Sequence, residues 1–154
     1  MRPVHVSPTQ IGETLHHLQE AGRCGTECVV LWLARDADNG VSVQQVYRPD
    51  QMAQADVFRI PQESMRALLE VISARELMIA AQVHSHPFEA FHSKADDYWA
   101  IVRHVDALSL VLPYFALQTS PESFLTDMKA FRLTAANRWC GLDELEAREW
   151  LRIR

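Results

Sequence analysis

The sequence predicts an α/β fold: a mixed β-sheet flanked by helices in a sandwich, as one domain over residues 1–154. Two observations lead there. Segments with helical spacing of apolar residues alternate with short apolar runs rich in Val, Leu and Ile, each bounded by Gly, Pro, Asn or Asp. At 154 residues, 48% hydrophobic and 23% charged, the chain can bury one core without disulfides.

The first helix is signalled by Ser7 as N-cap, Pro8 at the first helical position and Gln10 completing a capping box. Ile11, Leu15, Leu18 and Gly22 mark one face, and Gly22 and Gly25 are expected to end it. Glu27 to Ala34 reads as a buried strand. Asp36 to Gly40 is a turn in which Asn-Gly can take positive φ, and Val41 to Tyr47 alternates as a half-buried strand does. Arg48 to Ala55 is polar and expected as a loop, followed by a short strand at 57–60.

Pro61 opens a second helix with Met65, Leu68, Leu69 and Ile72 on one face. Leu77 to Val83 is an apolar strand that delivers His84 and His86 to its end. Ser93 starts a further helix that reaches toward His104, and Leu108 to Leu112 is a strand closed by Pro113. The remainder reads as a short helix at 121–128, a strand pair at 130–133 and 137–140, and a charged helix from Leu142 to Leu151.

Composition excludes several function classes. A formal charge of −5 with no Lys/Arg cluster argues against nucleic-acid partners. No stretch approaches the ~20 apolar residues of a membrane span, and Met1-Arg2-Pro3-Val4 leads into polar sequence rather than a signal peptide. Three cysteines cannot all pair within one chain, so a reducing, cytoplasmic setting is expected. Cys24 and Cys28 lack a second Cys or His pair at zinc-finger spacing, and Cys28 is expected in the core.

The chemistry concentrates in residues 84–97, where His84-Ser85-His86-Pro87 is followed by Ser93-Lys94-Ala95-Asp96-Asp97. Residues two apart in an extended segment face the same side, so His84 and His86 can converge on one ion while Ser85 points away. Pro87 then stops the strand, and a carboxylate on the next helix can close the site. Two imidazoles and one carboxylate with an open fourth position suit catalytic zinc. Ser93 and Asp96 also read as a capping box, a role compatible with lending Asp96 to a metal.

His-x-His-Pro followed by Ser-x-x-Asp resembles the signature of the JAMM (JAB, MPN+) metallopeptidases, the zinc isopeptidases that include deubiquitinases. The resemblance covers roughly Gly25 to Phe115 and implies an MPN (cytidine-deaminase-like) sandwich with a curved mixed sheet. It implies one zinc ion per chain held by His84, His86 and Asp96. It further implies that Ser93 supports the tetrahedral intermediate and that Glu27, opening an apolar strand after a glycine-bearing turn, activates the attacking water. The stretch between His86 and Ser93 is one residue shorter than the usual family spacing. Asp97 therefore keeps the commoner distance from His86 and stands as the alternative to Asp96, or as a group orienting a ligand histidine.

Phe91-His92-Ser93 with Asp96-Asp97, and Leu108 to Phe115 downstream, resemble a bacterial branch found with ubiquitin-like conjugation proteins in antiphage operons of the CBASS and Bil kinds. This implies a ubiquitin-like protein or its conjugate as partner, together with activating and conjugating enzymes. The alternatives are a non-catalytic MPN-type scaffold and a small-substrate hydrolase acting on a sulfur-carrier protein. Phe88 and Glu89 lie where a substrate tail can pass, Tyr98 and Trp99 where a wall of the cleft is expected. Arg48 to Ala55 is a candidate edge for pairing with an extended substrate. His92 is either a contact to substrate or ligand or a plain loop histidine.

Overall fold

The computed structural model of the chain describes residues 1–53, 58–94, 96 and 100–154. Its centre is one eight-stranded mixed sheet in the order β10-β1-β3-β2-β6-β7-β8-β9. The strands are β1 (Val4–Val6), β2 (Val29–Ala37), β3 (Gly40–Tyr47), β6 (Met78–Ser85), β7 (Leu108–Leu112), β8 (Lys129–Leu133), β9 (Trp139–Leu142) and β10 (Leu151–Ile153). A separate two-stranded ribbon pairs β4 (Met52–Ala53) with β5 (Phe58–Arg59). Part of the polar stretch 48–55 is therefore strand rather than loop.

Helix α1 (Pro8–Arg23) begins as its sequence predicts: the Gln10 amide donates to Ser7 Oγ at 3.2 Å and the Ser7 amide donates to Gln10 Oε1 at 3.0 Å. Ile11, Leu15, Leu18 and Gly22 are its buried stripe. Gly22, expected as a stop signal, lies within the helix instead. Helices α3 (Phe124–Asp127) and α4 (Glu144–Trp150) share the sheet face of α1, where Val30, Trp32, Ala81, Val83 and Leu110 form the larger core. The indole of Trp32 donates to Thr14 Oγ1 at 2.9 Å, so its one polar atom is satisfied in the core.

The opposite face carries α2 (Gln62–Arg75), which packs Leu68 on Val29, Leu31, Leu33 and Leu77. Alternation along β2 assigns Val29, Leu31 and Leu33 to this side and Val30, Trp32 and Ala34 to the other. Leu69, expected on the buried stripe, is 59% exposed because Leu68 and Ile72 already fill the contact.

Two further expectations are corrected. Val4–Val6 and Leu151–Ile153 are parallel strands paired with each other, so Leu151 opens the last strand rather than ending a helix. His104 is not helical; its ring contacts the Ile79 carbonyl at 2.6 Å. After β7, Tyr114–Ala116 form one turn of 3-10 helix with φ of 53°, 55° and 58°, the left-handed region that costs a non-glycine residue roughly 1–2 kcal/mol each. Among the described residues no helix is long and apolar enough to cross a membrane.

Candidate metal centre

β6 lies between β2, antiparallel, and β7, parallel, in the middle of the sheet. This places its last residues among neighbours on both sides. His84 lies opposite Val29 of β2 and beside Val111 of β7. Val29 belongs to the α2 face, so His84 projects there, and His86 follows two residues later. The His86 backbone is tied by its amide to Leu112 O at 2.9 Å and by its carbonyl to the Phe115 amide at 2.7 Å. Both rings are buried, with centroids 5.2 Å apart.

The carboxylate arrives from the segment beginning at Ser93. Its capping box forms: the Asp96 amide donates to Ser93 Oγ at 3.0 Å, and the Ser93 amide donates to Asp96 Oδ2 at 2.8 Å. The same Oδ2 stands 3.3 Å from His84 Nε2 and 3.0 Å from His86 Nε2. Ser93 and Asp96 thus do both things at once, capping a helix start and closing on the histidines. Asp97, Tyr98 and Trp99 lie outside the described residues, so the alternative ligand and the expected cleft wall are not placed.

Ligand atoms of His84, His86 and Asp96 all lie within 4.8 Å of one another, and all three residues are buried. The donor set fits a divalent metal. A tetrahedral zinc with bonds of ~2.0–2.1 Å sets its ligand atoms about 3.4 Å apart, close to the two Nε2–Oδ2 separations. Burial alone raises the Asp96 carboxyl. Hydrogen bonds from His84 and His86, the charge of His84 and the Ser93 amide outweigh it and hold the group well below the usual carboxylate range. Asp96 is an anion at neutral pH, as a metal ligand must be.

Glu27 sits two residues before β2 and is only 2% exposed. The β2–β6 ladder continues past its last regular pair in a modified form. The Ser85 amide donates to Cys28 O at 3.1 Å, but the Cys28 amide donates to the Ser85 hydroxyl, also at 3.1 Å. Extending the register Val29↔His84 through Cys28 and Ser85 sets Glu27 level with His86. Alternation then directs Glu27 to the α2 face with both histidines. Glu27 is not among the three residues whose ligand atoms converge.

Cys28 faces the α1 core, as expected, and is fully buried. Burial pushes its thiol up, against the opposing pull of Arg48, so it remains protonated and unsuited to act as a nucleophile. Gln51 carries a role that no sequence pattern announces. Its side-chain amide donates to Val29 O at 3.0 Å and accepts from the Val29 amide at 2.8 Å, standing in for a neighbouring strand next to Glu27. His92 is half-buried, its ring 5.2 Å from both Phe131 and Trp139 and 6.4 Å edge-on to His84. Phe91, 56% exposed, meets the His86 ring edge-to-face at 4.7 Å, and Phe88 is 74% exposed.

Over 127 residues, 80% of its length, the chain is 32% identical to the probable metalloprotease y4jG of Sinorhizobium fredii, and it spans 76% of that protein. The chain belongs to this metalloprotease family. No protein-family model matches it. The solution structure of protein DSY2949 from Desulfitobacterium hafniense shares the fold, with a TM-score of 0.70 at 16% identity over 98% of this chain and 92% of the other. In a metalloprotease the cluster His84, His86 and Asp96 is the group equipped to hold the metal, and hydrolysis of a peptide-type bond is the chemistry it suggests.

Proposed function

We propose that the chain is a JAMM-type zinc isopeptidase or peptidase that removes a ubiquitin-like modifier from its conjugates or trims the modifier's C-terminus. The observation that carries this reading is the convergence of His84, His86 and Asp96 on one point, and the buried acid Glu27 two residues before β2 supports it. The eight-stranded mixed sheet with helices on both faces is consistent with the MPN sandwich that the sequence motif implies.

Bound by the two imidazoles and Asp96, zinc would supply Lewis acidity toward the scissile carbonyl and lower the pKa of water. The chain's own groups do the rest. Glu27 accepts a proton from the attacking water and returns it to the departing amine, since a buried carboxylate in one place can serve as base and then acid. Ser93 Oγ accepts the Asp96 amide, which leaves its hydroxyl proton to donate to the oxygen that gains charge on the carbonyl. Asp97 remains the alternative carboxylate to Asp96, or the group that orients a ligand histidine. Phe88 and Phe91 line the approach past His86, where an extended tail would lie.

The match of Phe91-His92-Ser93 and Leu108 to Phe115 to the bacterial branch supports placing the modifier system in antiphage operons with its own activating and conjugating enzymes. The complete ligand set argues against the scaffold alternative, and a sulfur-carrier substrate is the neighbouring possibility within the same chemistry.

The deciding experiment loads the protein with zinc and offers ubiquitin-like fusions and isopeptide conjugates, with and without a chelator. The expected result is one zinc per chain, cleavage that the chelator abolishes, and activity restored by zinc. Stoichiometric zinc with no cleavage of any ubiquitin-like substrate would move the reading to the scaffold.

A further inference from the structure

The turn Tyr114–Ala116 places three consecutive non-glycine residues in the left-handed region, a conformation that persists only where its surroundings over-determine it. Those surroundings lie on two sides. Toward the metal centre, the Phe115 amide donates to His86 O at 2.7 Å and the Tyr114 amide donates to Phe88 O at 2.8 Å. The loop that leaves His86 is therefore bound at both ends of its first turn by this unusual backbone.

Away from the centre the turn is held by α1. Gln19 Nε2 donates to Ala116 O at 2.9 Å and to Thr119 O at 3.0 Å. Gly22 makes room for it: a Cβ at position 22 would stand 2.5 Å from Phe115 Cβ and 2.8 Å from Phe115 O. Only a residue without a side chain lets the helix approach so closely. A continuous path of contacts thus runs from one face of α1 through the turn to the backbone of His86.

We propose that Gln19 and Gly22 are positioning residues for the metal centre, acting through the Tyr114–Ala116 turn to fix where the His86 imidazole stands. This rests on the reading of His84, His86 and Asp96 as metal ligands. Groups that orient a ligand without touching the ion govern affinity and coordination geometry, and here the orienting contact is made to the ligand's backbone.

The test compares the unsubstituted chain with Gln19→Met, which keeps the shape but removes both donors, and Gln19→Lys, which restores a donating nitrogen of similar reach. Zinc affinity is measured by competition with a chromophoric chelator, coordination by the visible spectrum of the cobalt(II)-loaded protein, and folding by thermal melting. Gln19→Met is expected to weaken zinc about tenfold and to change the cobalt bands, with Gln19→Lys returning both toward wild type. Gly22→Ala is expected to shift the same two readouts further in the same direction. A lower melting temperature with unaltered affinity and spectrum would make Gln19 a purely structural residue and overturn the proposal. A wild-type chain that binds neither zinc nor cobalt would instead remove the metal reading on which it stands.

Discussion

Asp96 Oδ2 receives the Ser93 amide and faces both imidazole nitrogens, so one atom links a helix start to two strand-borne rings. Its carboxyl is held below the ordinary range, which fixes the sign of its pH effect. The folded protein resists protonating it, so its contribution to stability is complete above the unfolded pKa near 4 and fades as pH falls toward the lower folded value. In chelator, Asp96→Asn should be less stable than wild type at neutral pH, with the gap narrowing only below about pH 4; melting both proteins across pH 3–7 checks this. Glu27→Gln should keep its zinc and lose about 10²–10⁴-fold in cleavage rate, measured by metal analysis beside a cleavage assay. The cluster of His84, His86 and Asp96 was legible in the sequence because His-x-His at a strand end and Ser-x-x-Asp at a helix start are local patterns. Gln51 was not, since its partner Val29 is met only when the chain has folded back on itself.

At the level of elements, the β2–β6 pair matters most, because His84 is paired on it and the buried Glu27 lies just before β2. The Ser85 hydroxyl occupies the place of a strand carbonyl, and Gln51 completes the hydrogen bonds of Val29. Gln51→Ala leaves the amide and carbonyl of the buried Val29 unmatched, which should cost about 1–3 kcal/mol in chemical denaturation. It should also slow cleavage through the displaced Glu27. In the β2–β3 hairpin, Gly40 has φ of 138°, and a Cβ there would stand 2.1 Å from Pro3 O. Gly40→Ala should therefore destabilise the β1–β3 edge and lower the melting temperature well beyond an ordinary surface substitution. Helix α1 was legible to the residue at its start because capping box and periodicity agree. The left-handed turn after Pro113 was not, because Tyr-Phe-Ala has no intrinsic preference for that conformation and is held in it by Gln19, Gly22 and the loop after His86.

For the whole molecule, the class of fold followed from the alternation of helix and strand patterns, but the strand order did not. β1 and β10 have three residues each, too short for alternation to register; β10 pairs with β1, and β1 lies between β10 and β3. The sheet divides the helices so that α1 packs on one face and α2 on the other, over Val29, Leu31 and Leu33 of β2. Leu68 is the buried anchor of that second side. Leu68→Ala should cost about 2–5 kcal/mol in denaturant unfolding and loosen the packing of α2 on β2.

The converging side chains of His84, His86 and Asp96 come from one short stretch of chain, whereas the strand pair β1–β10 joins Val4–Val6 to the distant Leu151–Ile153. Loop-closure entropy grows with the length enclosed, so the two events belong to different moments of folding. A metal can be gripped while the edge strands are still searching for each other. Pulse-labelled hydrogen exchange during refolding in zinc should show β6 amides protected before those of β1 and β10. Metal supply would then act on the order of assembly as well as on the finished enzyme.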